Sequence, residues 1–277
     1  MVTRACISIN NRCNLNCLYC HFHEKKEYIQ EEEMDVLGVL DNITHHIEKN
    51  RIECFKLGFV GNGETLLDYA NLKKYILHIS EYLKSGRIAA YTITNGILID
   101  KEKLDFFKEH NVNVGFSIDG IERIHNKYRC NSWAKVMDKI ELYHDVFGVY
   151  PTMNCTVGRE SVECKDDVID FFVPFNTRIT FSRMIGNYGI SLESFRNFLD
   201  EAKNRLNVRT GGYDCTMYGG LCGAGMDNIF YANGKVYICG NCIDLAFSLP
   251  AETSLDEIKF DVMEFDRQCC FKEVLTK

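Results

Sequence analysis

Residues 5–20, ACISINNRCNLNCLYC, join a short apolar run to three closely spaced cysteines. The run ACISI predicts a β-strand. Cys13, Cys17 and Cys20 follow it with the spacing Cys-x3-Cys-x2-Cys. Thiolates select zinc or iron–sulfur clusters, but a structural zinc site takes four ligands from the protein. Three thiolates around four irons would leave one iron for a ligand from outside the protein. The spacing therefore favours a 4Fe–4S cluster over zinc or a redox thiol set.

Five further stretches resemble this first strand. They are CFKLGFV (54–60), AAYTITN (89–95), VNVGFSI (112–118), PTMNCTV (151–157) and RITFSR (178–183). Between and after them lie amphipathic segments that predict helices: residues 31–49, 70–84, 101–110, 133–147, 160–173 and 191–206. Strands that alternate with helices indicate a parallel sheet. Six such units are too few for a closed eightfold barrel. The sequence predicts an α/β fold, a partial (β/α)6 TIM-like barrel over residues 1–206, in preference to a doubly wound sheet.

Residues 207–277 differ in character, because glycine and cysteine become frequent. Asn233-Gly234 lies between two apolar runs in IFYANGKVYIC and predicts a β-hairpin. Ser254 and Glu257 have the spacing of a capping box and predict a last helix over 254–265. We therefore expect a small cysteine-rich extension, made of a hairpin and a helix, after the barrel.

Composition narrows the class of protein. The 277 residues carry a net charge of −7, whereas nucleic-acid binders are usually basic. No run approaches the roughly 20 apolar residues that cross a bilayer, and the start is not a signal peptide. We expect a cytoplasmic protein with neither nucleic-acid nor membrane partners. Most of the 14 cysteines are clustered, which in this setting indicates metal. Five are scattered and read as small buried apolar residues: Cys6, Cys54, Cys130, Cys155 and Cys164.

The cysteine motif resembles the signature of the radical SAM superfamily, and the resemblance continues along the chain. FVGNGETLL (59–67) is similar to the glycine-glycine-glutamate-proline motif that binds the amino group of S-adenosylmethionine, with Asn62 and Thr65 replacing a glycine and the proline. TITNG (92–96), FSIDG (116–120) with IHNKYR (124–129), and CTVGRES (155–161) resemble the motifs of the third, fourth and fifth strands.

The resemblance implies a set of cofactor-binding residues: Tyr19, Gly61, Gly63, Glu64, Thr94, Asn95, Ser117 and Asp119. Ser117 would approach the ribose. Plain structural roles remain open for several of them. Gly63 could serve a tight turn, Tyr19 could fill the core, and Ser117 and Asp119 could form a strand-end turn. His125 and Arg129 could cap or pair locally.

A second set of cysteines resembles the SPASM and twitch extensions of the superfamily, which hold auxiliary 4Fe–4S clusters. The proposed ligands are Cys215, Cys222, Cys239 and Cys242, with Cys269 or Cys270 as an alternative to one of them. The hairpin would bring Cys222 and Cys239 together. The number of cysteines favours one auxiliary cluster, and a structural zinc site is the alternative.

The resemblance implies that a reduced cluster cleaves S-adenosylmethionine to a 5′-deoxyadenosyl radical, which takes hydrogen from a substrate. The motifs look most like those of peptide and protein maturases, which introduce crosslinks, oxidations or epimerisations. The first motif begins at residue 13, so we expect a separate leader-recognition protein, and a flavodoxin or ferredoxin-type electron donor. An epimerase would need a hydrogen donor, for which Cys130, Cys155 and Cys164 are candidates. The alternatives are a dehydrogenase or epimerase of a small antibiotic or cofactor precursor, and, in another class, an iron–sulfur electron carrier or zinc-stabilised binding protein.

Overall fold

A computed structural model describes residues 1–20, 22, 33–211, 223–240 and 245–262 of the chain. The strands are β1 (Arg4–Ile7), β2 (Phe55–Phe59), β3 (Ile88–Thr94), β4 (Asn113–Ser117), β5 (Thr152–Val157), β6 (Arg178–Arg183), β7 (Asn207–Gly211), β8 (Asn228–Ala232), β9 (Lys235–Tyr237) and β10 (Ser248–Pro250). The helices are α1 (Val36–Asn50), α2 (Tyr69–His78), α3 (Ser80–Lys84), α4 (Lys101–Glu109), α5 (Glu122–Tyr128), α6 (Trp133–Phe147), α7 (Arg159–Glu163), α8 (Lys165–Phe172) and α9 (Leu192–Lys203).

The strands form one ten-stranded sheet in the order β10-β9-β8-β1-β2-β3-β4-β5-β6-β7. Strands β1 to β7 run parallel, with registers such as Ala5↔Leu57 and Phe181↔Thr210. Helices connect these strands, as βα units require. Within the described residues β7 and β10 are the two edges, so the sheet is open. The predicted α/β partial barrel is confirmed, and two strands beyond the six predicted, β7 and β8, also pair in parallel with their neighbours in the barrel sheet.

The two faces of the sheet have different chemistry because side chains alternate along each strand. One face packs against the helices and is apolar; Leu57, Phe116, Met153 and Phe181 are among its fully buried members. The other face, here called the concave face, carries residues such as Ser117 and Thr180, which are only half-buried. Residues on distant strands interact electrostatically across the concave face. Burial raises the pKa of Cys6 on β1, and Arg209 on β7 lowers this pKa by a smaller amount.

The C-terminal residues join this sheet at both edges. β7 pairs with β6, while β8 pairs in parallel with β1 and leads into the hairpin β8–β9. Asn233 and Gly234 have φ of 49° and 68°, the left-handed conformation of a two-residue hairpin turn. The predicted hairpin is therefore confirmed. A boundary between two domains at residue 206 stays a prediction.

The predicted last helix is wrong over residues 254–261, whereas Val262 is helical. Residues 255–257 form a turn, in which the amides of Glu257 and Ile258 both donate to the Ser254 carbonyl, and residues 258–261 are irregular. Residues 263–265 of that prediction lie outside the described residues. Ser254 thus begins a single turn. The side chain of Leu255 is buried under α1 and contributes to the core instead.

Among the helices in the described part of the chain, none combines the length and the apolar character needed to cross a membrane.

Candidate active site

The loop after β1 carries the three cysteines and is hydrogen-bonded to the loop after β2. The amide of Glu64 donates to the Arg12 carbonyl (2.7 Å), and the Asn10 side chain donates to the Glu64 carbonyl (3.1 Å). The amide of Asn62 donates to Ser8 Oγ (3.0 Å). The residues after β1 (8–20, the cluster loop) and after β2 (60–65, the GNGE loop) therefore form one hydrogen-bonded unit at the carboxyl ends of the strands.

Both predicted glycines are required by this close approach. A Cβ on Gly61 would lie 2.7 Å from the Cα of Ser8, and one on Gly63 would lie 2.8 Å from the Arg12 amide nitrogen. Real Cβ atoms do not come so close to backbone atoms. The glycines thus let the GNGE loop contact the cluster loop. Their direct contact with a cofactor stays a prediction.

Glu64 is buried and holds the end of β3. Its Oε1 accepts from Thr94 Oγ1 (2.8 Å) and from the Leu66 amide (3.1 Å), and its Oε2 accepts from the Asn95 amide (2.8 Å). Burial raises the pKa of Glu64, and these donors offset part of the rise. The structure gives Glu64 a positioning role, and one acceptor site of Oε2 stays available. Its contact with a cofactor stays a prediction.

Asn95 extends this contact to the cysteines. Its Nδ2 donates to Asn14 Oδ1 (2.7 Å) and lies 3.9 Å from the Cys13 sulfur. The predicted residues Thr94 and Asn95 therefore meet Glu64 and Cys13 at one point. A hydrogen bond to a ligand sulfur tunes the potential of an iron–sulfur cluster.

A second buried carboxylate supports the other end of the cluster loop. Asp119 Oδ2 accepts from the hydroxyl of Tyr19 (2.7 Å) and from Arg129 Nε (2.9 Å), and Oδ1 accepts from the Thr156 amide (2.9 Å). Asp119 is fully buried and the Arg129 side chain is 12% exposed. Burial lowers the pKa of Arg129, but Asp119, Tyr19 and Cys17 together outweigh burial and hold this pKa well above its usual value. Tyr19 is thereby fixed through its hydroxyl beside Cys20.

His125 stabilises the same turn in its neutral form. Its Nδ1 accepts from the Asp119 amide (3.2 Å). The Ser132 hydroxyl already donates to the Arg129 carbonyl (2.6 Å), so His125 Nε2 donates to Ser132 Oγ (2.9 Å). A proton on Nδ1 would oppose the amide N–H. Burial accordingly lowers the pKa of His125 to about 4.

The three thiols are half-buried and influence one another. Burial raises the pKa of Cys17 to about 11, Cys13 and Cys20 add to the rise, and Arg129 opposes it. In the described part of the chain no three His, Cys, Asp or Glu side chains converge on one metal position, so the ligand set stays a prediction. The donor chemistry fits an iron–sulfur cluster, because the three candidate donors on the cluster loop are all sulfur.

A chain of asparagine amides connects the site to the C-terminal hairpin. Asn62 Nδ2 donates to Asn11 Oδ1 (3.1 Å), and Asn11 Nδ2 donates to Asn233 Oδ1 (2.6 Å). The GNGE loop, the cluster loop and the hairpin turn are thus linked side chain to side chain. Sequence reasoning missed Asn11 and Asn233 as a pair, because nothing local relates residues so far apart in the chain.

The remaining predicted residues lie in different surroundings. Ser117 ends β4 on the concave face. The thiol of Cys130 accepts from the Asn16 amide (3.3 Å) and so contacts the cluster loop. Cys155 is packed in the core against the helices, and Cys164 lies between α7 and α8, with its thiol donating to the Glu160 carbonyl. Of the three candidate hydrogen donors, only Cys130 borders the site.

Most of the predicted auxiliary ligands lie outside the described residues: Cys215, Cys222, Cys242, Cys269 and Cys270. Cys239 is described, half-buried, and follows β9. The segment that starts at Gly223 returns beside it, since a Cβ on Gly225 would lie 3.1 Å from the Ile238 side chain.

The family model of the radical SAM superfamily matches residues 7–172, which is more than half of the chain. The chain therefore belongs to the radical SAM superfamily. The match begins at the end of β1 and covers every element of the site described above as far as α8.

Curated relatives include maturation enzymes. A cysteine-type anaerobic sulfatase-maturating enzyme of Clostridium novyi (strain NT) is 25% identical over 213 residues, which are 69% of this chain and 56% of that protein. A serine-type anaerobic sulfatase-maturating enzyme of Bacteroides thetaiotaomicron is 34% identical over 169 residues, 58% of this chain and 40% of that protein. The radical SAM cyclopropyl synthase TigE of Paramaledivibacter caminithermalis is 24% identical over 247 residues, which are 81% of this chain and 49% of that protein. The chain thus spans about half the length of these relatives.

Solved structures share the fold. Native anSMEcpe with bound AdoMet superposes with a TM-score of 0.74 at 22% identity, over 92% of this chain and 80% of that one. Streptococcus suis SuiB bound to S-adenosylmethionine gives a TM-score of 0.72 at 15% identity, over 94% of this chain and 64% of that one. At these identities the likeness establishes the partial barrel fold.

Proposed function

We propose that this chain is a radical SAM enzyme that modifies a peptide or protein. The observation that carries the proposal is the cluster loop, whose three thiols are held between Glu64 and Asp119 at the carboxyl ends of the strands. When bound there, a 4Fe–4S cluster and S-adenosylmethionine supply the 5′-deoxyadenosyl radical that removes a hydrogen atom from the substrate. The chain's own residues position these cofactors and exclude water.

Each part of the site has a separate task in this proposal. Cys13, Cys17 and Cys20 would hold the 4Fe–4S cluster. Glu64 keeps the GNGE loop and the end of β3 together, and with the backbone of Gly63 it would bind the methionine amino group. Tyr19 is fixed through Asp119 and would border the cluster, and Ser117, at the end of β4, would contact the ribose.

The peptide substrate is supported by the relatives. Two of them are named for maturing sulfatases, which are proteins. Streptococcus suis SuiB has been solved bound to the precursor peptide SuiA. That structure shares the fold of this chain with a TM-score of 0.68. We propose the same class of substrate for this chain, with a flavodoxin or ferredoxin-type protein as electron donor. A separate leader-recognition protein is part of the proposal.

An auxiliary 4Fe–4S cluster in residues 207–277 is the second element of the proposal. It is supported by the hairpin, which sets Cys239 at the end of β9 while the chain after Cys222 packs against Ile238. Cys215 and Cys242 complete the proposed ligand set, with Cys269 or Cys270 in place of one of them. Such a cluster would accept an electron from the substrate radical or bind the substrate.

The test is iron and acid-labile sulfide per chain after anaerobic reconstitution. About eight irons are expected in the wild type and about four in a Cys13→Ala, Cys17→Ala, Cys20→Ala variant, because cysteine thiolates hold such clusters. The triple variant should also form no 5′-deoxyadenosine from S-adenosylmethionine. The matched control replaces three other cysteines with alanine, Cys6, Cys54 and Cys164, and should keep both the iron and the cleavage.

The outcomes separate the two elements of the proposal. About four irons in the wild type and none in the first variant would refute the auxiliary cluster and leave the catalytic cluster. Unchanged iron in the first variant would refute the assignment of the catalytic cluster. Cleavage of S-adenosylmethionine without modification of any peptide from a library would refute the proposed substrate class.

A further inference from the structure

The concave face of the sheet contains no acidic side chain between β1 and β7 in the described residues. The face is defined by the strand register and comprises Arg4, Cys6, Lys56, Gly58, Ala89, Tyr91, Ile93, Asn113, Gly115, Ser117, Thr152, Asn154, Thr156, Arg178, Thr180, Ser182, Asn207 and Arg209. The chain as a whole has 39 acidic and 32 basic residues. This face carries four cations and no carboxylate, although acidic residues outnumber basic residues in the whole chain.

Two of these cations are neighbours without compensation. Arg178 and Arg209 lie on the paired strands β6 and β7, two residues apart in register and on the same face. Both are exposed, and neither has an ion-pair partner in the described part of the chain. Arg4, in contrast, pairs with Asp227 at 2.8 Å. Like charges on adjacent strands destabilise a sheet, and two guanidinium groups so placed can hold a carboxylate through paired hydrogen bonds.

Neutral polar side chains cover the rest of the face on β4, β5 and β6. Ser117, Thr152, Asn154, Thr180 and Ser182 are half-buried, and none of them makes a side-chain hydrogen bond to another described residue. Groups that are only half-buried can hydrogen-bond to water, and a bound ligand can take the place of that water. Hydroxyl and amide groups of this kind match the N–H and C=O groups of an extended peptide backbone.

The face connects the arginines to the cluster loop. At the carboxyl end of β5, the Thr156 amide donates to Asp119, which also accepts from the Tyr19 hydroxyl of the cluster loop. At the amino end of β6 lies Arg178, four residues before Ser182 along the strand. At about 3.3 Å per residue this distance is roughly 13 Å, the length of about four residues of extended chain.

We propose that the concave face binds an acidic peptide in extended form, with a substrate carboxylate held by Arg178 and Arg209. The carboxylate lies about four residues from the position that undergoes reaction at the cluster end. The inference rests on the proposed function and names its substrate class more closely. The competing explanation is that the two arginines only keep the edge strand β7 from pairing with other chains.

The test measures binding of three synthetic peptides to the anaerobically reconstituted enzyme by fluorescence anisotropy. The fluorescein-labelled decapeptides share one Gly/Ser/Ala frame and carry three Glu, three Gln or three Lys residues. We expect the Glu peptide to bind at least about tenfold more tightly than the other two, since bonds to a charged partner are the stronger kind. The preference should shrink as salt is raised, because the arginines are exposed.

The variant Arg178→Glu/Arg209→Glu should reverse this preference in favour of the Lys peptide. Arg178→Gln/Arg209→Gln should abolish it without adding negative charge. The matched control is Lys74→Glu/Lys135→Glu, which changes the net charge equally at exposed positions on α2 and α6 and should keep the preference. Circular dichroism and iron content verify that each variant folds and holds its cofactors.

Equal binding of the three peptides by the wild type, or a preference that survives in both arginine variants, would overturn the inference. Binding of none of the peptides would also overturn it. The proposed function is judged separately, by 5′-deoxyadenosine formation and peptide modification. Equally efficient modification of a Glu-containing peptide and of its counterpart without acidic residues would support the proposed function. The same result would refute the inference that the concave face selects acidic peptides.

Discussion

Two buried carboxylates support the cluster loop, and they do so by different physics. Asp119 is paired with a buried cation, Arg129, and also receives Tyr19. Glu64 is surrounded by neutral donors alone, and burial raises its pKa. Removal of Asp119 would leave a charge without a partner, whereas neutralisation of Glu64 would leave only an unmatched hydrogen bond. Two acids with similar positions should therefore differ strongly in what their loss costs.

The largest effect is expected at Asp119. Asp119→Ala should lower the free energy of unfolding by about 3–5 kcal/mol, because Arg129 becomes an unpaired buried charge. Anaerobic urea denaturation measures this. Asp119→Ala/Arg129→Met should recover part of the loss, since the charge is gone. Asp105→Asn, which breaks an exposed ion pair with Lys101, is the control and should change stability by less than about 1 kcal/mol. A loss at Asp119 no larger than that of the control would refute the proposed support.

The next largest effect is a pH dependence on the Asp119 side. His125 has its pKa lowered to about 4 by burial, so it stays neutral in the folded state while an unfolded histidine takes up a proton near pH 6.5. Its contribution is present above pH 6.5 and is lost as pH falls towards 4, at a slope of at most roughly 1.4 kcal/mol per pH unit. His125→Gln should lack this slope in denaturation series between pH 7 and 4. The exposed His45→Gln should retain it, and equal slopes in wild type and His125→Gln would contradict the assignment.

Glu64 should give a smaller effect of opposite pH sign. Glu64→Gln keeps an acceptor for Thr94 and Leu66 but turns an amide N–H towards the Asn95 amide, which costs about 1–3 kcal/mol. Because its pKa is raised in the folded state, wild-type Glu64 contributes most below pH 4.5 and less as pH rises through the folded pKa. The cost of the substitution should therefore shrink from pH 4.5 to pH 7 in the same denaturation series. A cost that grows with pH would exclude the raised pKa.

The smallest effect is expected at the hydroxyl that joins Asp119 to the cluster loop. Tyr19→Phe removes one hydrogen bond, while Arg129 and the Thr156 amide still hold the carboxylate, so the loss should be about 1 kcal/mol. The matched control is Tyr150→Phe, whose hydroxyl contacts the exposed Glu141, and it should be close to neutral. Indistinguishable melting curves for the two variants would remove Tyr19 from the network.

Local patterns predicted much of this architecture. RITFSR and the helix over 133–147 form with the predicted bounds, because their periodicity and flanking residues agree with their burial. Two other segments, each predicted as a single helix, form two helices in the structure. Residues 160–173 divide at Cys164, and residues 70–84 divide at Ile79. α5 was missed, since a helix of seven residues that buries only Ile124, His125 and Tyr128 carries little periodic signal.

At the candidate site, too, local sequence patterns predicted some features and missed others. The motif residues around Cys13, Glu64 and Asp119 could be located from their order along the chain. Their partners could not, because Thr94–Glu64, Tyr19–Asp119 and Asn11–Asn233 are contacts made only by the fold. The predicted last helix failed for a related reason. Leu255 gains more from burial under α1 than a capping box at Ser254 supplies.

The position of β1 has a consequence for how the chain is made. β1 lies between β2 and β8, so one side of the strand that begins the cluster loop stays open until residues 228–232 have been synthesised. Long-range strand pairing of this kind is slow, and an open apolar edge invites pairing with other chains. We therefore expect the nascent chain to depend on a chaperone until late in translation. Cluster insertion should follow release from the ribosome, because the loop that receives the iron has no finished support before then.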